Sequence, residues 1–244
     1  MGKSLSVQMS GHTDAGQVRD SNEDAILWDA EAGWALLADG MGGHMAGEVA
    51  SHLAVETLES HLGAIGNNGK GSELERLREA VQEANRRIHA QAGADVRCHN
   101  MGTTVVAALF RDATLTCAHV GDSRLYRYSS GELEQISHDH SLVQELVDEG
   151  MLSSEEAAES SHKNVITRAL GLEATVEADL LQVPLHAGEL YLLCSDGLSD
   201  MIPNAELTAL LQGDKLDDMA HKLVAEANRR GGTDNISVIL VRIK

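Results

Sequence analysis

The chain has few basic residues, and it has no apolar run long enough to cross a bilayer. Lys and Arg total 19 against 38 Asp and Glu, so the formal net charge at pH 7 is -19. A surface with this excess of acid repels nucleic-acid backbones and anionic membranes, which argues against both as partners. The longest apolar runs, such as residues 105–110, are far too short for a transmembrane helix. We therefore expect a protein of the cytoplasm.

Cysteine is also scarce, and no repeat or Pro-rich linker divides the chain. Cys98, Cys117 and Cys194 are odd in number, they lack C-x-x-C pairing, and the last two lie inside apolar runs. This pattern predicts buried free thiols in a reducing compartment, with neither a disulfide nor a zinc site. A chain of 244 residues, 43% of them hydrophobic, can bury a full core. We therefore expect one domain over residues 1–244.

Hydrophobic periodicity predicts an α+β fold in which strands dominate the middle of the chain. Alternation predicts a meander of four strands between residues 103 and 136, with a hairpin turn at Gly121-Asp122. Helical spacing predicts two long helices, over residues 46–62 and 73–92, that should cover a sheet. Further helices are predicted at 140–149, 204–211 and 216–229, and further strand-like stretches at 4–11, 25–29, 34–38, 164–170 and 236–243.

Two segments lack a clear period. Residues 63–72 resemble a phosphate-binding loop, but Ala64 stands where the leading Gly belongs and Gly71 follows Lys70 where Ser or Thr is needed, so we predict an ordinary loop. Residues 150–164 mix small, acidic and His residues. They predict a mobile flap over the surface that carries the chemistry, with an ordinary surface loop as the alternative.

Several aspartates stand beside Gly or a small residue at the ends of strand-like runs. These are Asp39 in WALLADGMGG, Asp122 in CAHVGDSR, Asp196 in YLLCSDGLSD and Asp234 in GGTDNISVILV. Strand ends at one edge of a sheet can converge, and converging carboxylates repel one another unless a cation neutralises them. Such ligands suit a hard divalent ion, Mg²⁺ or Mn²⁺. A single Asp-Gly pair is more often a turn, so the prediction depends on the whole set.

Seven short motifs follow one another along the chain. They are RDSNED (19–24), ADGMGG (38–43), MGTT (101–104), GDSR (121–124), DHS (139–141), SDGLSD (195–200) and GTDN (232–235). In this order they resemble the type 2C family of metal-dependent Ser/Thr protein phosphatases, in its compact bacterial form. The resemblance covers nearly the whole chain. It implies a four-layer α-β-β-α sandwich, in which two antiparallel sheets are flanked by helix pairs and two metal ions lie in a cleft at one end.

The resemblance also implies a role for each motif residue. Asp39 would bridge two tightly bound Mn²⁺ or Mg²⁺ ions, and the Gly40 carbonyl would be a further ligand of the second ion. Asp234 and Asp24 would belong to the first ion, with Glu23 acting directly or through water.

The remaining acidic motif residues are assigned in the same way. Asp196 would hold the second ion, and Asp122, Asp196 and Asp200 would form a weaker third metal site. Asn235 would orient Asp234 without contacting the metal itself.

Arg19 matches the guanidinium that binds the substrate phosphate in the family, and its planar fork suits phosphate oxygens. A surface salt bridge is the alternative role. Many eukaryotic members have a His two residues after the bridging Asp as general acid, but this chain has Met41 there, which cannot donate a proton. His44 is a possible replacement, although a surface or helix-terminal role also suits it, and a metal-bound water is the other candidate acid.

The implied activity is hydrolysis of phosphoserine and phosphothreonine on proteins by a hydroxide that bridges the metals, with Arg19 and Asp39 as catalytic residues. No Cys is followed by Arg at the C-x5-R spacing of cysteine phosphatases. The partners would be phosphoproteins made by a bacterial Ser/Thr kinase, and the enzyme would be a monomer. The alternatives are a catalytically silent regulatory module of the same fold and another metal-dependent phosphohydrolase.

Overall fold

The computed structural model describes residues 5–42, 45–63 and 72–244. Its strands are β1 (Val7–Asp14), β2 (Asp24–Asp29), β3 (Trp34–Met41), β4 (Gly102–Thr103), β5 (Val105–Arg111), β6 (Thr114–Val120), β7 (Arg124–Ser129), β8 (Glu132–Gln135), β9 (Asp179–Pro184), β10 (Leu190–Cys194) and β11 (Ile236–Ile243). Its α-helices are α1 (Ala46–Gly63), α2 (Glu73–Ala94), α3 (Leu142–Asp148), α4 (Ser154–Ala158), α5 (Asp196–Ser199), α6 (Asn204–Leu210) and α7 (Leu216–Arg229).

The strands form two antiparallel sheets. One sheet has the order β1-β11-β10-β7-β8, and the other has β2-β3-β5-β6-β9 with β4 paired to β3. Leu37, Val106, Tyr191 and Ile239 belong to the apolar layer between the sheets. A second cluster lies between the β3 sheet and the helices α1 and α2, and a third lies between the β11 sheet and the helices α6 and α7. The predicted α-β-β-α layering is confirmed.

Local sequence explains where the main helices begin and end. Ser72 caps α2 through a capping box with Glu75, which satisfies free N–H groups of the first turn. Helix α7 buries Leu216, Leu223 and other apolar residues at helical spacing, and the chain leaves it through two glycines at 231 and 232 with positive φ. The prediction for residues 216–229 agrees with α7 to the residue. None of the described helices is long and apolar enough to span a membrane.

The predicted meander is wrong at one turn. Strands β6 and β7 lie in different sheets, so Asp122 lies on a crossover and not in a hairpin. At this point Gly121 has a φ of +105°, and a Cβ there would lie 2.6 Å from Thr104 Cγ2. The alternation of apolar residues identifies both strands, but it does not show that the chain changes sheet between them.

Other sequence predictions also differ from the structure. Residues 164–170 form only two isolated bridges, Ser141↔Ile166 and Thr103↔Leu170, instead of a strand. The helix predicted at 140–149 begins at Leu142, because Ser141 is its N-cap. The predicted flap contains the short helix α4, which the sequence did not indicate. The three cysteines are free and buried, as predicted. The loop prediction for 63–72 falls largely outside the described residues.

Candidate functional site

Acidic residues from both sheets lie at one end of the sandwich. Asp24 is the first residue of β2 and pairs in register with Asp39 on β3. Asp196 follows β10 as the first residue of α5, and Asp234 lies two residues before β11. Ser195 joins the two sheets here, because its hydroxyl donates to Asp24 Oδ2 at 2.8 Å. The four carboxylates that the motifs singled out therefore converge, although they are far apart in sequence.

Two threonines of the MGTT motif hold the backbone of Asp39 from both sides. The Asp39 N–H donates to Thr104 Oγ1 at 3.0 Å. The Asp39 carbonyl accepts from Thr103 Oγ1 and from the Thr104 N–H, each at 2.9 Å. The sequence showed this motif without giving it a role. Its role in the structure is to fix the direction of the Asp39 carboxylate before any ligand binds.

A cavity of about 340 Å³, which we call the inner cavity, opens over Asp39, Asp196 and Asp234, while Asp24 is buried next to Asp39 and does not line it. Its lining residues include Arg19, Glu23, Asp39, Gly40, Asn164, Ile166, Asp196, Asp234 and Asn235. Gly40 is needed here for space, since a Cβ on it would lie 2.1 Å from the Gly47 carbonyl oxygen of α1. The close approach of α1 leaves the Gly40 carbonyl near the acidic groups.

A second cavity, of about 400 Å³, lies beside the first, and we call it the outer cavity. Asp196 and Asn164 line both cavities. The predicted third-site residues Asp122, Asp196 and Asp200 all line the outer cavity, together with apolar residues of α3 and α4. Lys163 pairs with Asp200 at 2.7 Å. Arg124 pairs with Asp139 at 2.7 Å, a partner that the sequence did not indicate.

The pKa values of the clustered carboxyl groups are raised. Burial raises the pKa of Asp39 well above its usual range, and the charges of Asp24 and Asp196 raise it further. The pKa of Asp196 is raised in the same way, by burial and then by Asp122 and Asp234. Burial raises the pKa of Asp24 to about 6, against the hydrogen bonds from Ser195 and Ser237. Burial and the charge of Asp139 raise the pKa of Asp122 to about 7.

These groups fit hydrated divalent cations. Asp24 Oδ1 is buried and has no hydrogen-bond partner, which leaves a carboxylate oxygen available to a cation or its water. Within residues 5–42, 45–63 and 72–244, no group of three or more His, Cys, Asp or Glu side chains is arranged so that it could hold a metal ion by itself, so waters or backbone carbonyls would have to complete the coordination. Ions that keep several waters and take only one or two carboxylates each, as Mg²⁺ does, suit this open arrangement. A cation would also remove the repulsion that raises the carboxyl pKa values.

Arg19 extends over the inner cavity. Its Nη2 pairs with Asp234 Oδ2 at 2.7 Å, while 54% of its side chain is exposed. A guanidinium has five N–H donors, so most of them remain available to an anion entering the cavity. Met41 lines the same cavity, and none of the described His residues does. His44 lies outside the described residues.

The side chain of Asn235 holds the loop that carries Arg19. Its Nδ2 donates to the carbonyls of Ala15 and Ser21 at 3.0 and 2.8 Å, and its Oδ1 accepts from the Glu23 N–H at 2.7 Å. Only its backbone N–H contacts the Asp234 side chain, at Oδ1 and 2.8 Å. The predicted contact with Asp234 therefore comes from the main chain, and the side chain positions the loop.

Without divalent ions, the protein should lose stability as the pH rises from about 4 to about 7. The folded-state pKa values of Asp24 and Asp122, about 6 and about 7, lie above the value near 3.9 of an unfolded Asp. The folded state therefore binds more protons in this window, and each group's stabilising contribution is lost as the pH rises through its folded pKa. In EDTA we expect the midpoint of thermal unfolding to fall by roughly 5 °C or more relative to the Mn²⁺-loaded protein.

Differential scanning fluorimetry at several pH values, with EDTA and with Mn²⁺, measures this difference. Asp122→Asn should flatten the profile in EDTA, because it removes one of the carboxyl groups whose pKa is raised. Parallel profiles with and without Mn²⁺ would contradict the assignment of these carboxyls to a cation site.

Known proteins have similar sequences and similar folds. The sequence profile of the family described as Protein phosphatase 2C matches residues 11–238. The Serine/threonine phosphatase stp of Listeria monocytogenes is 40% identical over 234 residues, which cover 94% of this chain and 93% of the relative. The crystal structure of the Mycobacterium tuberculosis serine/threonine phosphatase PstP/Ppp superposes with a TM-score of 0.90 at 39% identity, covering 97% of this chain and 98% of the other.

One similar structure contains metal. It is the catalytic domain of the serine threonine protein phosphatase PstP in complex with two manganese ions. It has a TM-score of 0.89 at 40% identity and covers 98% of this chain and 99% of the other.

Proposed function

The chain belongs to the protein phosphatase 2C family, and from that premise we propose that it is a metal-dependent phosphatase that removes phosphate from serine and threonine side chains of proteins. The observation that carries this proposal is the convergence of carboxylates from both sheets in one cavity beside an exposed arginine. The carboxylates suit divalent metal, and the arginine suits the dianion of a phosphomonoester.

We assign the ion-binding groups to the inner cavity. Asp39 would be shared by two Mn²⁺ or Mg²⁺ ions, with the Gly40 carbonyl on one of them. Asp24 and Asp234, with Glu23 directly or through water, would hold the first ion. Asp196 would hold the second. When bound, the ions supply an activated water nucleophile at neutral pH and positive charge against the phosphoryl oxygens.

We assign a possible weaker third ion to the outer cavity. Asp122, Asp196 and Asp200 line that cavity together, so they are the candidate ligands. Asp200 already has a cationic neighbour in Lys163. Competition from this ammonium group would keep the third site weaker than the other two.

The chain's own side chains bind and orient the substrate. Arg19 donates to the equatorial oxygens of the phosphoryl group, and Asn235 holds the loop that positions it. Thr103 and Thr104 fix the Asp39 backbone. Met41 cannot donate a proton, and no His among the described residues lines the inner cavity, so the candidate proton sources for the departing serine or threonine oxygen are His44 and a water molecule in the cavity.

The substrates we propose are phosphoproteins made by a Ser/Thr kinase, which this enzyme would oppose. The family match over residues 11–238 supports a single catalytic domain over residues 1–244. The acidic surface, with a net charge of -19, supports action in the cytoplasm away from nucleic acid and membranes. Nothing in the site needs a second copy, which supports a monomer.

A comparison of substrate classes tests the proposed function. With Mn²⁺ present, kcat/KM for a phosphothreonine peptide should exceed that for a nucleoside monophosphate or a dinucleotide by at least about tenfold, since a protein phosphatase also binds the peptide around the phosphate, which nucleotides lack. Released inorganic phosphate measures the monoesters, and chromatography measures cleavage of the dinucleotide. No hydrolysis of any substrate would indicate a silent module. Faster hydrolysis of a nucleotide would indicate another phosphohydrolase.

A further inference from the structure

Residues 164–166, where the chain leaves a turn at 161–164, lie between the inner cavity and the outer one. Asn164 lines both cavities, and Ile166 lines the inner one. The segment follows the predicted flap and lies beside the turn before α3, where Ser141 and Ile166 form an isolated antiparallel bridge. Asn164 ends a turn, in which the Val165 N–H donates to the His162 carbonyl at 3.0 Å, and Ile166 forms a strand-like bridge at the mouth of the phosphate-binding cavity.

One edge of this segment is paired and the other is open. The Leu142 N–H donates to the Val165 carbonyl at 2.8 Å, and the Thr167 N–H donates to the His140 carbonyl at 2.9 Å. In an antiparallel pair with this pattern, the bridged residue itself directs its N–H and C=O to the opposite side. The Ile166 N–H and C=O accordingly have no hydrogen-bond partner in the described part of the chain.

The side chains of Asn164 and Val165 are also accessible to a bound peptide. Asn164 is exposed, and its carboxamide makes no hydrogen bond with the described residues. Val165 is 44% exposed. An exposed amide beside a free N–H and C=O presents both donors and acceptors, which is the complement of another peptide main chain.

The segment is held in place on its paired side. Lys163, the residue before it, pairs with Asp200 at 2.7 Å. Beyond it, Thr103 and Leu170 exchange two backbone hydrogen bonds at 3.1 and 2.9 Å. An edge fixed at both ends loses little entropy when a strand is added to it.

Resting on the proposed phosphatase function, we propose that the substrate main chain beside the phosphorylated residue binds as an added strand on the open edge of residues 164–166. The Ile166 N–H and C=O pair with the substrate backbone, and the Asn164 carboxamide hydrogen-bonds a neighbouring peptide group. The phosphorylated side chain enters the inner cavity, and a flanking side chain enters the outer cavity.

This mode of binding defines the substrate class. Strand addition recognises main chain, so it tolerates different sequences but requires an extended segment. The enzyme should therefore act on phosphorylated loops and tails, while a phosphorylated residue inside a helix, whose backbone groups are already paired, should be a poor substrate.

Asn164→Ala tests the proposal on two substrates. With a phosphothreonine peptide, KM should rise about tenfold, from the loss of one or two hydrogen bonds, with kcat little changed. With p-nitrophenyl phosphate, which has no peptide backbone, the rise in KM should be much smaller than with the peptide, since only the peptide loses main-chain hydrogen bonds. Gln91→Ala is the matched control, because Gln91 is an exposed amide on α2 that lines neither cavity. Gln91→Ala should change KM and kcat for neither substrate.

A modified substrate tests the backbone contacts without altering the protein. N-methylation of one peptide bond next to the phosphothreonine should raise KM about tenfold at the position that faces Ile166, and methylation several residues away should have no effect. Equal effects of Asn164→Ala on peptide and small ester, or no effect of any methylation, would overturn the proposal. If the parent enzyme cleaved only the small ester, the proposed protein phosphatase function would be wrong instead.

Discussion

Asp39→Asn should give a folded protein without measurable phosphatase activity, the same state to which EDTA should bring the unaltered protein. Asp39 is the one carboxylate we assign to two ions, and its backbone is fixed by Thr103 and Thr104. A neutral amide at this position weakens the binding of both ions. Losing several kcal/mol of charge stabilisation lowers kcat by roughly 10³-fold or more. Assays with a phosphothreonine peptide and calorimetric titration with Mn²⁺ measure the two losses.

The same substitution should not destabilise the metal-free fold. Among the described groups, Asp39 faces the carboxylates of Asp24, Asp196, Asp122 and Asp234, all of which raise its pKa. Replacing it with an amide of the same shape removes this repulsion. In EDTA the thermal midpoint of the variant should equal or exceed that of the unaltered protein, while the rise caused by Mn²⁺ should be lost. A lower midpoint in EDTA would mean that Asp39 has a structural role instead.

Asp122→Ala is the control for this experiment. Asp122 lines the outer cavity and is absent from the inner one, so its loss should leave two tight ions bound. Turnover on phosphopeptides should fall by about tenfold, the usual scale for a group one step removed from the main metal site. If Asp122→Ala lost the tight ions while Asp39→Asn retained them, our assignment of the two cavities would be reversed.

The sequence was sufficient to predict the inner-cavity carboxylates and most of the fold. The sequence pattern places Asp39 near the end of one strand and Asp234 just before another, and the structure has Asp39 as the sixth residue of β3 and Asp234 two residues before β11. The long helices and β11 follow from periodicity, because their apolar faces are buried against sheets and have no competing pattern. The family motifs then supplied the relation between distant strands that periodicity does not contain.

Other features depend on contacts between distant residues, and the sequence could not show them. The crossover at Gly121 looks like a hairpin because a turn within one sheet and a turn between two sheets use the same residue types. Residues 164–170 have the composition of a strand, yet they form only single bridges because the neighbouring chain at Ser141 turns at once into α3. The use of the Asn235 side chain to hold the Arg19 loop is of the same kind.

Arg19→Ala should raise KM for phosphopeptides and leave the tight ions in place. Arg19 is half-exposed at the mouth of the inner cavity, where its free N–H donors can reach a phosphate. A hydrogen bond to a charged group contributes about 1.5 to 3 kcal/mol, so kcat/KM should fall roughly 10- to 150-fold. Steady-state kinetics on a phosphothreonine peptide measure the change.

Because Arg19 pairs with Asp234, the prediction for Arg19→Ala also concerns the affinity for Mn²⁺. The 2.7 Å contact joins the phosphate-binding group to a carboxylate that we assign to the first ion. Removing the guanidinium frees the Asp234 charge for a cation, so Mn²⁺ affinity should stay the same or increase while KM rises. Arg19→Lys should recover part of the loss, because an ammonium keeps the charge without the planar fork. A loss of Mn²⁺ affinity in Arg19→Ala, or unchanged kinetics, would show that Arg19 stabilises the loop that carries it and does not bind the substrate phosphate.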